Sequence, residues 1–62
     1  MKLKQLRTKQ GFEKQLDFAD ALNVKQSTLS MWETGNSKPD IDMVKKIATV
    51  LNVSVAEVLE CF

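Results

Sequence analysis

The stretch KQSTLSMWE, residues 25–33, combines two kinds of side chain at helical spacing. Leu29 and Trp32 lie three positions apart, as expected for the buried stripe of a helix. The other side chains are short hydrogen-bonding groups and one large apolar group: Gln26, Ser27, Thr28, Ser30 and Met31. On a helical wheel at about 100° per residue, the side chains of 27, 30 and 31 point away from Leu29 and Trp32. The chemistry of this face is hydrogen bonding with one apolar contact, which suits recognition.

This face also has plain structural interpretations. A polar helix face is an ordinary solvated surface in many proteins, and that is the alternative for the Gln, Ser and Thr side chains. A methionine at helical spacing usually belongs to the core. The direction of Met31 on the wheel argues against the core and favours contact with a groove or a partner.

The composition excludes several other kinds of function. The 62 residues contain no histidine and one cysteine, so neither an intrachain disulfide nor a Cys/His zinc site is available. The sequence offers no nucleophile–base pair and no phosphate-cradling loop, so we expect no enzyme activity, no metal and no cofactor. The lone Cys61 suits a reducing compartment as a buried or incidental thiol, and the alternative is an intermolecular disulfide.

Positive charge is concentrated at the start of the chain, although the net charge is only +1. Five of the nine Lys and Arg residues lie within residues 1–14, against a single acidic residue. This favours an anionic partner, with a solvated helix face as the alternative. No apolar run approaches the roughly 18 residues of a membrane span, and no apolar signal core follows the basic start. We therefore expect a cytoplasmic protein without membrane contact.

Helix-ending residues divide the chain into short segments with helical periodicity. Four residues suit the left-handed position after a helix: Gly11, Asn23, Gly35 and Asn52. Asp40, after Pro39, suits an N-cap, and Ser54 with Glu57 three residues later is a capping box. The sequence predicts helices at about 2–10, 14–22 and 26–34, a fourth opening at 40 with its apolar stripe over 41–51, and a fifth from 54 to about 61.

The length and the absence of β alternation determine the predicted fold class. A chain of 62 residues has material for one hydrophobic core only, so we expect a single domain, 1–62. The prediction is all-α: five short helices packed on one core.

The second and third predicted helices have the spacing of a helix-turn-helix. Ala19 supplies the small residue needed where two steeply crossing helices approach, and Asn23 supplies the positive φ of the turn between them. Leu29 and Trp32 would hold the third helix against the core. The outer face of that helix is then free for a DNA major groove.

With this spacing the sequence resembles the phage repressor and Cro-type (XRE-like) helix-turn-helix proteins. The resemblance is carried by LKQLR, QLDFADALNV, STLSMWETG and KPDIDMVKKIATVLNVSVAEVL, which cover nearly the whole chain. It implies a compact five-helix repressor-like domain. Asn23 departs from the family pattern by standing where Gly is usual. The loop between Gly11 and Gln15 is one residue longer, and two lysines, Lys14 and Lys25, occupy places where a Ser or Thr cap is common.

The resemblance implies roles for individual residues. It implies DNA base contacts by four of them: Lys25, Gln26, Ser27 and Met31. Gln can bond adenine N6 and N7, and an apolar group can contact a thymine methyl. DNA backbone contacts are implied or expected for five residues: Lys14, Gln15, Thr28, Asn36 and Lys38. Each of these lysines has the alternative of being solvated. Arg7 and Glu33 match a structural ion pair and are not expected to read bases.

A helix-turn-helix protein without a second domain usually binds near-palindromic DNA as a symmetric dimer. The candidate dimer contacts are Val55, Val58 and Phe62, whereas Leu59 is expected in the monomer core; the alternative is that all of them close that core. The predicted function is a sequence-specific transcriptional regulator that binds double-stranded DNA as a homodimer. The alternative is an antitoxin or repressor-modulating module whose partner is a toxin or another repressor.

Overall fold

The computed structural model describes residues 2–62, and five short helices account for most of them. In chain order they are α1 (Leu3–Lys9), α2 (Gln15–Leu22), α3 (Gln26–Thr34), α4 (Ile41–Leu51) and α5 (Val55–Leu59). Residues 2–62 contain no β-strand, so the all-α, five-helix prediction is confirmed. Across the same residues, no helix has the length and apolar character needed to cross a bilayer.

The first four helices are followed closely by a residue with positive φ: directly after α2, α3 and α4, and two residues after α1, at Gly11. At the end of α2, Val24 N–H donates to Ala19 O at 3.0 Å across Asn23, whose φ is 58°. This is a Schellman motif, and α4 ends in the same way at Asn52, with φ of 57°. Among residues 2–62, positive φ occurs at the four positions predicted from sequence: Gly11, Asn23, Gly35 and Asn52.

Side-chain caps open the two C-terminal helices. The Asp40 carboxylate accepts the Met43 N–H at 2.8 Å at the start of α4. The Ser54 hydroxyl accepts the Glu57 N–H at 3.1 Å at the start of α5. The Ser54 hydroxyl also donates to Glu57 Oε1 at 3.4 Å. In a complete capping box, the Glu57 side chain would accept from the Ser54 backbone N–H instead. The predicted capping box is therefore formed in its Ser half only.

A single cluster of buried apolar side chains unites the five helices. Its twelve members are Leu3, Leu6, Phe18, Ala19, Leu22, Leu29, Trp32, Val44, Ile47, Ala48, Leu51 and Val58. Leu29 and Trp32 are 0% and 8% exposed, as expected for the inward side of α3. Phe12, in the loop before α2, packs on this core with its ring centroid 5.3 Å from that of Phe18. The loop before α2 is thus anchored to the core by its own aromatic side chain.

The C-terminal helix differs from the sequence prediction in two respects. It ends at Leu59 and not near residue 61, because a turn at 60–61 follows directly. Its inward residue is Val58, fully buried, whereas Leu59 is 51% exposed. The predictions that Val58 contacts a dimer partner and that Leu59 belongs to the core are both wrong. Both residues are apolar and adjacent, so a five-residue helix offers too little periodicity to tell which one faces inward.

Candidate nucleic-acid interface

The outer face of α3 carries the polar side chains that the sequence singled out. Lys25, Gln26 and Ser27 are exposed at the start of the helix, and Met31 is 46% exposed one turn further on. Thr28 and Ser30 are half-buried on the flanks. Because Leu29 and Trp32 fix the opposite side of α3 in the core, this face has a defined direction relative to the rest of the protein.

A chain of side-chain hydrogen bonds joins the start of α3 to α2. Gln26 Nε2 donates to Gln15 Oε1 at 3.2 Å. Gln15 Nε2 in turn donates to Glu33 Oε1 at 2.9 Å. The first and the last turns of α3 are therefore both tied to one glutamine at the first position of α2. Sequence reasoning assigned Gln15 and Gln26 to different DNA contacts and missed that they touch each other.

The Arg7 and Glu33 side chains are in contact, as the resemblance implied. Arg7 Nε donates to Glu33 Oε2 at 2.8 Å, and the two side chains are 3% and 6% exposed. Arg7 Nη1 also donates to the carbonyls of Phe12 and Glu13 at 2.8 and 2.9 Å. One guanidinium thus joins α1, the loop before α2 and the end of α3. At this burial Arg7 has no free surface for DNA, so its role is structural.

The start of α2 lacks a side-chain cap. Lys14 occupies the N-cap position of α2 and Lys25 that of α3, and neither makes a side-chain capping bond. Both lysines are exposed. The first-turn N–H groups of such a helix attract anions, with the positive end of the helix dipole adding to the effect. Asp17 lies in the first turn of α2, where its negative charge interacts favourably with the same end of the helix dipole.

The loop after α3 holds the other two predicted backbone-contacting residues. Asn36 and Lys38 are exposed there. The backbone N–H of Asn36 donates to Met31 O at 2.9 Å, and that of Ser37 donates to the same carbonyl at 3.3 Å. The loop is therefore hydrogen-bonded to the helix it follows, so Asn36 and Lys38 lie beside the end of α3.

The predicted dimer contacts are distributed differently from the expectation. Val55 and Phe62 are half-buried and pack on the core, and Val58 lies inside it. The large apolar side chains left exposed in the C-terminal half are Ile41 and Leu59, at 56% and 51%. The sequence predicts Ile41 on the buried stripe of α4, about one turn before Val44 and two turns before Ile47. Ile41 is instead exposed, because it is the first residue of α4 and lies beyond the edge of the hydrophobic core.

Cys61 lies half-buried near the end of the chain, where its thiol donates to Glu57 O at 3.6 Å. Burial raises the pKa of the Cys61 thiol, and the negative charge of Glu60 raises it further. A thiol with a raised pKa is a weaker nucleophile at neutral pH. This favours the interpretation of Cys61 as an unreactive thiol.

Two consecutive helices joined by a tight turn, with a polar and exposed outer face on the second helix, are the arrangement of a helix-turn-helix protein of the DNA-binding class. The sequence profile of the helix-turn-helix family matches residues 3–58. The chain therefore belongs to the XRE-like helix-turn-helix family, whose members are DNA-binding regulators. Neither among curated proteins nor among solved structures is there a significant match to this chain.

Proposed function

We propose that this protein is a sequence-specific transcriptional regulator that binds double-stranded DNA with α3 in the major groove. The observation that carries the proposal is the outer face of α3. Buried Leu29 and Trp32 fix the opposite side of the helix, and the Gln26–Gln15–Glu33 hydrogen-bond chain orients the Gln26 side chain on this face. A merely solvated face would not need its first glutamine to be held by a hydrogen bond to another helix.

Four residues on this face would read the bases. Gln26 has Oε1 and one N–H not used by Gln15, and this pair matches N6 and N7 of adenine. Ser27 is a versatile hydrogen-bonding partner, and Lys25 suits the acceptors of guanine. Met31, 46% exposed, would contact a thymine methyl.

A second set of residues would fix the register of the protein on the DNA backbone without reading sequence. The five candidates are Lys14, Gln15, Thr28, Asn36 and Lys38. They border α3 from three directions: the uncapped start of α2, the flank of α3 and the loop that follows it. Phosphates on both sides of a major groove could be engaged from these positions.

The DNA-bound form would be a symmetric homodimer on a near-palindromic operator, with half-sites about one helical turn apart. Val55 and Phe62 remain candidates for the dimer contact because both are only half-buried. Ile41 and Leu59 join them, since both are large apolar side chains that are more than half exposed. Val58 is no longer a candidate.

The test is selection of DNA from a random pool, followed by affinity measurements at several salt concentrations. A specific regulator should enrich a near-palindromic site, and its affinity should fall steeply with salt as lysines displace counterions. If no sequence is enriched and binding stays weak at every salt concentration, the proposal is overturned. The antitoxin or repressor-modulator alternative would then be examined through complexes that form without DNA.

A further inference from the structure

The Glu33 carboxylate has a second partner besides Arg7. Oε2 accepts from Arg7 Nε at 2.8 Å, while Oε1 accepts from Gln15 Nε2 at 2.9 Å. An ionised carboxylate accepts hydrogen bonds and donates none. The Gln15 amide must therefore direct its nitrogen towards Glu33, which leaves its oxygen directed towards Gln26.

The same argument applies one step further along the chain. The oxygen of Gln15 accepts from Gln26 Nε2 at 3.2 Å. An amide oxygen is also only an acceptor, so Gln26 must turn its nitrogen towards Gln15. This leaves Gln26 Oε1 and one N–H free on the outer face. A free glutamine amide has two orientations of similar energy, but here one charge at Glu33 selects the orientation of both amides.

We propose that Glu33 is a positioning residue that makes Gln26 select adenine over guanine. This inference rests on the proposed function, in which Gln26 reads a base. An amide that presents one acceptor and one donor matches adenine N6 and N7. The flipped amide would present two donors, which match guanine O6 and N7. By fixing the orientation through Gln15, Glu33 excludes the guanine-binding form.

The positioning role can be separated from the bracing role of the ion pair. Arg7 binds Glu33 and the carbonyls of Phe12 and Glu13, and it makes no hydrogen bond to Gln15. Gln15→Met removes the amide link but leaves the Arg7–Glu33 pair in place. Glu33→Gln keeps the shape of the side chain, but its new amide can either donate or accept, so the direction of the Gln15 amide is no longer fixed.

The experiment compares two duplexes that differ only by adenine or guanine at the position where Gln26→Ala abolishes preference. We expect the affinity ratio of the two duplexes to fall about fivefold or more in both Glu33→Gln and Gln15→Met. The double variant should lose no more than either single variant, because both break the same chain. Ser54→Ala, which removes the cap of α5 far from this network, should keep the full ratio.

The possible failures have different meanings. If the wild type selects no sequence, the proposed function itself is overturned. If the wild type selects a site that Gln26 reads, but Gln15→Met and Glu33→Gln retain the adenine preference, only the role of Glu33 is overturned. Circular dichroism establishes that each variant is folded, and Gln15→Met decides the question if Glu33→Gln does not fold.

A measurement without DNA supplies an independent readout. In ¹⁵N-labelled protein, the side-chain amide protons of Gln26 should differ in chemical shift from those of a free glutamine, because one of them is hydrogen-bonded. Gln15→Met should return them to free values, whereas Ser54→Ala should leave them shifted. Free values in the wild type would overturn the proposed chain of orientations.

Discussion

The two halves of the chain are held together by different kinds of interaction. Within residues 2–35, side-chain hydrogen bonds join separate elements: Arg7 to Glu33, Glu33 to Gln15, and Gln15 to Gln26. Within residues 36–62, the side-chain hydrogen bonds of the structure reach only three or four residues along the chain. There, α4 and α5 are attached to the rest of the protein by apolar burial.

This difference reflects the different structural requirements of the two halves. Hydrophobic burial is non-directional, so it stabilises a fold without fixing the orientation of a particular polar group. Hydrogen bonds between side chains are directional, and they are found here where the recognition helix must present one face. The comparison predicts that changes in the polar network of the first half alter base preference, whereas changes in the apolar core of the second half alter stability and leave base preference unchanged.

The largest expected effect is that of Arg7→Met. It leaves the Glu33 carboxylate, 6% exposed, without its cation, and we expect a loss of about 3–5 kcal/mol in the free energy of unfolding. The double variant Arg7→Met/Glu33→Leu should regain most of this stability, since an apolar pair can replace a buried ion pair at little cost. Urea unfolding measures both. A double variant as unstable as the single one would contradict the interpretation.

The same double variant also tests the division between the two halves. It removes the carboxylate that orients Gln15, so its base preference should be relaxed even where its stability is recovered. Retention of the wild-type preference would mean that the polar network contributes stability and not orientation.

The next effect is on base reading. Gln26→Ala should cost about 1–3 kcal/mol at one base position and relax the preference there. Lys38→Ala is the matched control, because loss of a phosphate contact should weaken binding to all sequences about equally and lower the salt dependence. Affinities for a panel of single-base variants of the selected site measure both. Equal losses across the panel for Gln26→Ala would remove it from the base-reading residues.

The two asparagine turns give a direct comparison of the halves. Asn23 and Asn52 have φ of 58° and 57°, in the left-handed region that asparagine tolerates better than alanine. Asn23→Ala and Asn52→Ala should therefore each lower the free energy of unfolding by about 1 kcal/mol. Thermal unfolding should show similar losses for both. Only Asn23→Ala should reduce DNA affinity in the folded protein, because Asn23 sets the turn into α3. A comparable loss of DNA affinity in Asn52→Ala would contradict the proposed difference between the two halves of the chain.

The smallest predicted effect comes from the apolar core. Ile47→Val removes one methylene group from a fully buried side chain of α4 and should cost about 0.5–1.5 kcal/mol. DNA preference should be unchanged at temperatures where the variant is folded. A shift in base preference would indicate that core packing also orients the recognition helix.

Helix positions were predictable because their ends are local. Gly and Asn at the left-handed positions, and Asp40 and Ser54 at the caps, each act within a few residues, so the chain order alone reveals them. Helices α1 to α4 accordingly lie within one or two residues of their predicted bounds. The end of α5 was missed because Glu60 and Cys61 carry no stop signal.

The contacts between side chains of different elements were less accessible. The Arg7–Glu33 pair was inferred from a family resemblance, whereas nothing in the sequence indicated that Gln15 lies between Glu33 and Gln26. Hydrogen bonds across 11 and 18 residues depend on how α2 crosses α3, which no local pattern encodes. The side of α5 that faces inward was likewise decided by packing.

The burial of Val58 has a consequence for how the protein is made. The core contains Leu3 and Val58, which are separated by nearly the whole described chain, and both are at most 1% exposed. Small helical domains fold in about microseconds to milliseconds, whereas ribosomes add roughly 5–20 residues per second. Synthesis, and not the search for the fold, should therefore set the time at which the core closes. Nascent chains stalled before residue 58 emerges should remain protease-sensitive, whereas chains stalled well beyond it should be protected.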